Sequence, residues 1–211
     1  MKTLITIVRH GETEWNVAMR LQGKQDSAFT IKGEQQVLKV AEALQYRKFD
    51  VLISSDLGRA MKTAQAINKY HSHQIILSEK FRERNFGVME GLTLKQIKER
   101  FPEVHGGYKT RAEEFQVPEG ESLVQFAARV DDGLNEIVKE HPGKRILLVA
   151  HGGVLDCMLR MTFEIPLGTT RNFSIYNAAI NAFSFEDGVW KLEEWGNTDH
   201  FNGMGNPRDE I

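Results

Sequence analysis

The sequence predicts an α/β fold in three layers, in which helices cover both faces of a mixed, mainly parallel central sheet. Short apolar runs typical of buried strands alternate with longer segments in which apolar residues recur every three or four positions. This alternation is typical of a parallel sheet with covered faces. Near the C-terminus, two strand-like runs flank Glu186-Asp187-Gly188 and predict a hairpin, which adds antiparallel strands.

Four strands are predicted ahead of the hairpin. They are residues 4–8, 51–53, 74–77 and 145–150, and the hairpin strands are residues 179–185 and 189–195. Each of the first four is short, apolar and bounded by polar residues, as expected for strands buried on both faces.

Helices are predicted between these strands. One begins after Thr30, a residue type that caps helix N-termini, and a second spans about residues 56–70. A third begins near Ser122 and ends before Pro142, because proline and glycine stop helices. A fourth follows His151 directly.

The chain is expected to form one domain over residues 1–211, since it shows neither a repeat nor a linker-like stretch. Its least patterned part is about residues 101–120, which contains Gly106-Gly107 and Pro118. We expect this part to be an irregular excursion that lies over the functional site.

The charge balance excludes several classes of partner. Lys and Arg total 27 and Asp and Glu total 29, so the net charge is −2 and lacks the basic surplus of a nucleic-acid-binding domain. The apolar runs are too short for a signal peptide or a membrane span. A single cysteine, Cys157, excludes internal disulfides and suits a reducing compartment. We therefore expect a cytoplasmic protein with neither nucleic-acid nor membrane partners.

Two predicted strands end in the same pair of residues, His-Gly. Arg9-His10 follows the first strand, His151-Gly152 follows the fourth, and Arg59 lies just after the second. In open α/β sheets, ligands bind past the carboxyl ends of the strands. The helix that follows Gly152 offers free backbone N–H groups to an anion, and guanidinium groups bind phosphate bidentately. The cluster therefore indicates a site for a phosphate ester.

The residue types restrict the chemistry at such a site. Cys157 lies on an apolar helix face without a cysteine-phosphatase loop, and the sequence contains no P-loop. The remaining nucleophile is a histidine, either His10 or His151, which would form a phosphohistidine. A general acid is also required, and the spacing leaves both Glu83 and Glu90 as candidates.

A metal site is not expected. His71 and His73 have a ligand-like spacing but no obvious carboxylate partner, so they are interpreted as a solvent-exposed pair. No cofactor is expected either.

These motifs resemble those of the histidine phosphatase superfamily, in its phosphoglycerate-mutase-like branch. The matching blocks follow the family's order over about residues 4–155, and their combination is highly specific. They are Arg9-His10-Gly11-Glu12-Thr13, Asn16, Gln22-Gly23, Asp26-Ser27, Thr30, Gly33, Gln36, the run from Ser54 to Ala60 with Thr63-Ala64, Glu83, Gly87, Glu90-Gly91, Gly120-Glu121-Ser122 and His151-Gly152-Gly153.

The resemblance implies a role for each site residue. His10 is expected to be the nucleophile, while Arg9, Arg59 and His151 hold the phosphoryl oxygens. Glu83 is expected to protonate the leaving group and then to activate water. The residues expected to bind substrate are Asn16, Gln22, Gly23, Arg84 and Gly152.

The implied function is metal-independent hydrolysis of small phosphate esters, and the implied partner is a small phosphorylated metabolite. Three alternatives stay open: a cofactor-dependent phosphoglycerate mutase, a narrower phosphatase and a non-catalytic binding module. Phe86 stands where family mutases tend to carry Tyr, and the basic residues of 102–120 are only Lys109 and Arg111. Both departures favour a phosphatase, which could be a monomer or a homodimer.

The apolar residues of the excursion allow two interpretations. They could line a partly apolar substrate pocket, or they could be core residues of the excursion itself. They are Phe101, Tyr108, Phe115 and Val117.

Overall fold

A six-stranded sheet forms the centre of the described chain, residues 1–204, in this computed structural model. The strands are β1 (Thr3–Arg9), β2 (Val51–Ser54), β3 (Ile75–Leu77), β4 (Arg145–Ala150), β5 (Ile180–Glu186) and β6 (Val189–Asn197). Their order is β3-β2-β4-β1-β5-β6. The first four pair in parallel, whereas β5 and β6 are antiparallel additions beside β1. The mixed, mainly parallel sheet is therefore confirmed.

Seven α-helices accompany the sheet within the described residues. They are α1 (Glu14–Val17), α2 (Ile31–Leu44), α3 (Gly58–Asn68), α4 (Leu94–Arg100), α5 (Pro102–Lys109), α6 (Leu123–Glu140) and α7 (Gly152–Phe163). Among residues 1–204, none of these helices has the length and apolar character needed to cross a bilayer.

Helix starts follow the capping residues in the sequence. The Thr30 side chain accepts a hydrogen bond from the Gly33 N–H at the start of α2. Ser122 begins α6 through a reciprocal capping box with Gln125. Both starts agree with the sequence prediction because a cap is a local interaction.

Successive residues of β4 point to opposite faces of the sheet and enter two different cores. Leu147 and Val149 pack with α2 and α3, whereas Ile146, Leu148 and Ala150 pack with α6 and α7. All five side chains are fully buried. This arrangement confirms the three-layer α/β/α architecture.

The excursion is more regular than the sequence predicted, because residues 102–109 form α5. Pro102 occupies the first turn, where its missing N–H costs nothing. Gly107 lies against the ring of Phe115, and a Cβ there would stand 2.2 Å from a ring carbon. Tertiary packing thus stabilises a helix through a Gly-Gly pair that looks unfavourable in the sequence.

The apolar residues of the excursion lie mainly in a small core of their own. Val117 is fully buried there with Met89 and Ile97, and Phe115 and Tyr108 pack against them. Phe101 is 36% exposed. The core interpretation therefore holds for Phe115 and Val117, while Tyr108 also faces the cavity described below.

Strand register brings three strand ends to one point. β1 and β4 pair Arg9 with Ala150, so His10 and His151 follow at the same height. β2 pairs with β4 on its other side and ends at Ser54. The residues after these strands therefore share one edge of the sheet, as the sequence analysis expected.

Candidate active site

The hydrogen bonds of His10 determine which ring nitrogen carries its proton. Arg59 Nε, which can only donate, lies 3.2 Å from His10 Nε2. Nε2 is therefore the acceptor, and the Nδ1–H donates to the Gly11 carbonyl oxygen at 2.8 Å. Burial, followed by the charges of Arg59 and Arg9, holds the pKa of His10 well below its ordinary value of 6.5. His10 is thus a neutral imidazole with its Nε2 lone pair beside a guanidinium.

His151 contacts His10 at the base of the site, and the two ring centroids lie 5.3 Å apart. Its Nε2 is 2.8 Å from the hydroxyl oxygen of Ser55, the residue that follows β2. Its Nδ1 is buried and has no hydrogen-bond partner within the described part of the chain. Burial and then the charge of Arg59 hold the pKa of His151 well below its ordinary value. His151 therefore keeps one ring nitrogen without a hydrogen-bond partner among residues 1–204.

Arg59 is fixed by the segment before α2. Its Nη1 donates to the Gln25 carbonyl at 2.6 Å and to Asp26 Oδ1 at 2.7 Å, and its Nη2 donates to the Gly23 carbonyl at 2.9 Å. Asp26 also accepts from the backbone N–H groups of Gly58 and Arg59, at 2.7 and 3.2 Å. One carboxylate thus caps α3 and orients its arginine.

Arg9 reaches the site from the end of β1. Its Nη1 donates to the Ile175 carbonyl at 2.6 Å. A Cβ on Gly152 would lie 3.5 Å from the Arg9 guanidinium carbon, so the guanidinium lies next to the first turn of α7. The N-terminus of α7 and Arg9 therefore add positive potential at the same place.

Two of the predicted substrate-binding side chains are joined through Thr13. Asn16 Oδ1 accepts a hydrogen bond from the Thr13 N–H at 3.1 Å, as part of the capping box of α1. Gln22 Nε2 donates to Thr13 Oγ1 at 2.8 Å. Both side chains line the cavity.

The structure distinguishes the two glutamates that the spacing left open. Glu83 lines the cavity and accepts from the Arg84 N–H at 2.8 Å and the Gly153 N–H at 3.1 Å. Glu90 instead accepts from the N–H groups of Lys24 and Phe86 and does not line the cavity. Of these two glutamates, only Glu83 faces the cavity.

These side chains surround a cavity of about 660 Å³. The predicted site residues that line it are Arg9, His10, Asn16, Gln22, Arg59, Glu83, Arg84 and Gly152. His151 is fully buried behind His10, and Gly23 lies behind the wall with its carbonyl on Arg59. Cys157 reaches the wall, but burial raises the pKa of its thiol, so it is not a thiolate.

The outer part of the cavity carries positive charge that the sequence analysis underestimated. Arg84, Lys109, Arg111 and Arg171 all line it, and Tyr108 lies among them. Burial raises the pKa of Tyr108, and the charges of the three arginines oppose that rise. Arg171 was missed because it lies on an irregular loop after α7 that carries no motif.

No metal centre is apparent within residues 1–204, where no three His, Cys, Asp or Glu side chains are grouped to hold an ion. The rings of His71 and His73 stack with centroids 6.2 Å apart.

Comparisons with known proteins identify the family of the chain. The profile of the histidine phosphatase superfamily (branch 1) matches residues 5–198. A probable phosphoglycerate mutase of Escherichia fergusonii is 32% identical over 191 residues, which cover 90% of this chain and 89% of that protein.

Solved structures give the same result. YhfR of Bacillus stearothermophilus superposes with a TM-score of 0.86 at 28% identity, covering 94% of this chain and 98% of that one. A phosphoserine phosphatase of Entamoeba histolytica superposes with a TM-score of 0.81 at 29% identity, with coverages of 94% and 98%. The chain therefore belongs to branch 1 of the histidine phosphatase superfamily.

Proposed function

We propose that this enzyme is a phosphomonoesterase that hydrolyses small phosphate esters through a phosphohistidine on His10 Nε2. The observation that carries the proposal is the tautomer of His10. Its Nδ1–H is engaged by the Gly11 carbonyl, and its Nε2 accepts from Arg59 at the floor of a cation-lined cavity. A phosphoryl oxygen can take over that arginine donor and leave the lone pair free to attack.

In the first step, the Nε2 lone pair forms a bond to phosphorus while the bond from phosphorus to the ester oxygen breaks. Glu83 gives its proton to the departing oxygen. In the second step, Glu83 takes a proton from water, the water oxygen bonds to phosphorus, and the N–P bond breaks to release inorganic phosphate. His10 returns to its starting form.

The charge that develops on the phosphoryl oxygens is met by groups of this chain. Arg9, Arg59 and the first turn of α7 converge on His10. The predicted role of His151 is to donate to the same oxygens. Its Nδ1 has no hydrogen-bond partner among the described residues, which supports that role. The proposed reaction uses no metal or organic cofactor.

The substrate class follows from the outer cavity, where Arg84, Lys109, Arg111 and Arg171 are grouped. Clustered like charges favour a ligand with a second anionic group beside its phosphate. The E. histolytica phosphatase has been solved with phosphoserine and with 3-phosphoglyceric acid, both of which carry a carboxylate. We therefore place a small phosphorylated acid first among the candidate substrates.

Related proposals concern the organisation and location of the chain. We propose one domain over residues 1–211, of which residues 205–211 lie outside the described part of the chain. The excursion at about 101–120 is proposed to lie over the cavity, since Tyr108, Lys109 and Arg111 line it. The location is the cytoplasm, and the buried single Cys157 fits a reducing compartment. The enzyme acts as a monomer or homodimer, without nucleic-acid or membrane partners.

A phosphoglycerate mutase is the second candidate function, and the basic outer cavity favours it as well. The two functions differ in the acceptor of the phosphohistidine, which is water or a phosphoglycerate. Hydrolysis of p-nitrophenyl phosphate without bisphosphoglycerate supports the phosphatase. Activity only with added bisphosphoglycerate supports the mutase.

The nucleophile is tested by replacing His10 with Ala. We expect the variant to lose hydrolysis and to lose the acid-labile, alkali-stable label that wild type acquires from a radiolabelled phosphate ester. Undiminished hydrolysis by the variant would show that His10 is not the nucleophile.

A further inference from the structure

An ion pair outside the cavity contacts the segment that carries Glu83. Arg129, on α6, binds both carboxylate oxygens of Glu121, with Nε and Nη2 each at 2.8 Å. Its guanidinium also donates to four backbone carbonyls of residues 79–83. They are those of Glu79, Lys80, Arg82 and Glu83, at 3.2, 2.9, 3.1 and 3.3 Å. Arg129 therefore holds the main chain on the N-terminal side of Glu83.

Glu121 holds the same segment on the C-terminal side of Glu83. Its Oε2 accepts from the Asn85 N–H at 2.9 Å, and its own N–H donates to the Asn85 carbonyl at 2.9 Å. Its carbonyl accepts from Arg84 Nε and Nη2, at 3.0 and 2.8 Å. The two residues after Glu83 are thus both bound to Glu121.

The charges of the pair are sheltered from solvent, which strengthens the contact. The side chains of Arg129 and Glu121 are 22% and 20% exposed. Burial alone would raise the pKa of Glu121, but Arg129 and the Asn85 N–H lower it, so the carboxylate is ionised. A lysine could not replace this arginine fully, because an ammonium lacks the planar fork that reaches carboxylate and carbonyls together.

We infer that the Arg129–Glu121 pair is a positioning device for Glu83. Neither member of the pair lines the cavity, whereas Glu83 does. The Glu83 carboxylate is held by the Gly153 N–H from one side, while the pair fixes its main chain from the other. The inference rests on the proposed role of Glu83 as the general acid.

The test exploits the leaving group. A nitrophenolate departs without a proton, whereas an alkoxide requires one, so loss of a well-placed acid slows only alkyl esters. We use kcat/KM, which covers the steps up to release of the first product. Arg129→Met and Arg129→Lys are compared with wild type on p-nitrophenyl phosphate and on an alkyl phosphate.

We expect Arg129→Met to lower kcat/KM for the alkyl ester by about 10-fold or more, because misplacement of a catalytic group by 1 Å can cost about 10²-fold. The kcat/KM for the nitrophenyl ester should change by no more than about 2-fold. For the alkyl ester, the kcat/KM of Arg129→Lys should lie between those of wild type and Arg129→Met. The matched control is Arg145→Met, which removes a bidentate pair with Asp50 at the opposite end of β4. It should change neither ester.

Two results overturn the inference: equal losses on both esters, or no loss on either. Should Arg129→Met fail to fold, Arg129→Lys decides by the same criterion, with its melting temperature measured beside it. Glu83→Gln distinguishes a failure of the positioning device from a failure of the proposed general acid. If Glu83→Gln slows only the alkyl ester but the Arg129 variants do not, the positioning device alone is refuted. If Glu83→Gln does not slow the alkyl ester selectively, the role of Glu83 as the acid is refuted.

Discussion

Replacing Gly153 with Ala should displace the Glu83 carboxylate without unfolding the protein. A Cβ at this position would lie 2.2 Å from Glu83 Oε1 and 2.9 Å from the ring of Phe126. The nearest atom is the end of a flexible side chain, so Glu83 will move in preference to the backbone. To reach an ordinary contact of 3.4 Å, the oxygen must retreat by about 1.2 Å.

The size of the effect follows from that displacement. A catalytic group misplaced by about 1 Å loses about 10²-fold in rate. Glu83 also loses the alignment of its bond with the Gly153 N–H, now 3.1 Å long. We therefore expect kcat/KM for an alkyl phosphate to fall by about 10²-fold, equivalent to about 2.7 kcal/mol of transition-state stabilisation.

The assay follows phosphate release from an alkyl ester, with the melting temperature measured in parallel. Gly106→Ala in α5 is the matched control, because a Cβ there meets nothing within 4 Å. It should leave activity unchanged and stabilise the helix by about 0.5–1 kcal/mol. Wild-type hydrolysis by Gly153→Ala, with the overlap present, would refute the placement of Glu83.

Three further predictions concern protonation, the support of Arg59 and metal dependence. His10 and His151 stay neutral when folded, because burial and Arg59 lower their pKa values below 6.5. The unfolded chain therefore binds more protons below that pH, and the melting temperature should drop between about pH 7.5 and about pH 5.5; a flat profile contradicts this. Asp26→Asn, which weakens the support of Arg59, should raise the inhibition constant of inorganic phosphate about 5- to 10-fold; no change contradicts the role assigned to Asp26. EDTA should leave hydrolysis intact, and activity lost to EDTA but restored by a divalent metal would contradict the proposed reaction.

The strands and the helices capped by Thr30 and Ser122 were predictable because their signals are local. β4 is an unbroken apolar run after Arg145, and Ser122 with Gln125 is a capping box readable from four residues. Helices α1, α4 and α5 were not predicted. In α5, Gly107 packs closely against the ring of Phe115, a contact that only the folded chain creates. Local propensity gave the wrong answer where tertiary packing decides.

The same distinction applies to the site. His10 and His151 were recognised because each directly follows a strand and belongs to a motif. Arg129 and Arg171 were not recognised, because their roles depend on the groups that surround them in the fold and not on their neighbours in the sequence. Arg129 binds carbonyls up to 50 residues away, and no sequence pattern encodes a bond to a backbone oxygen.

The register of β1 and β4 makes enzymatic activity a measure of folding fidelity. A slip of one residue would shift His10 by about 3.3 Å relative to His151 and turn alternate side chains to the wrong face. A chain mispaired in this way could keep its helices and its compactness, but His10 would no longer be aligned with the other residues of the active site. Recovered turnover after refolding would therefore count the correctly registered molecules, which spectroscopic signals of secondary structure would overestimate.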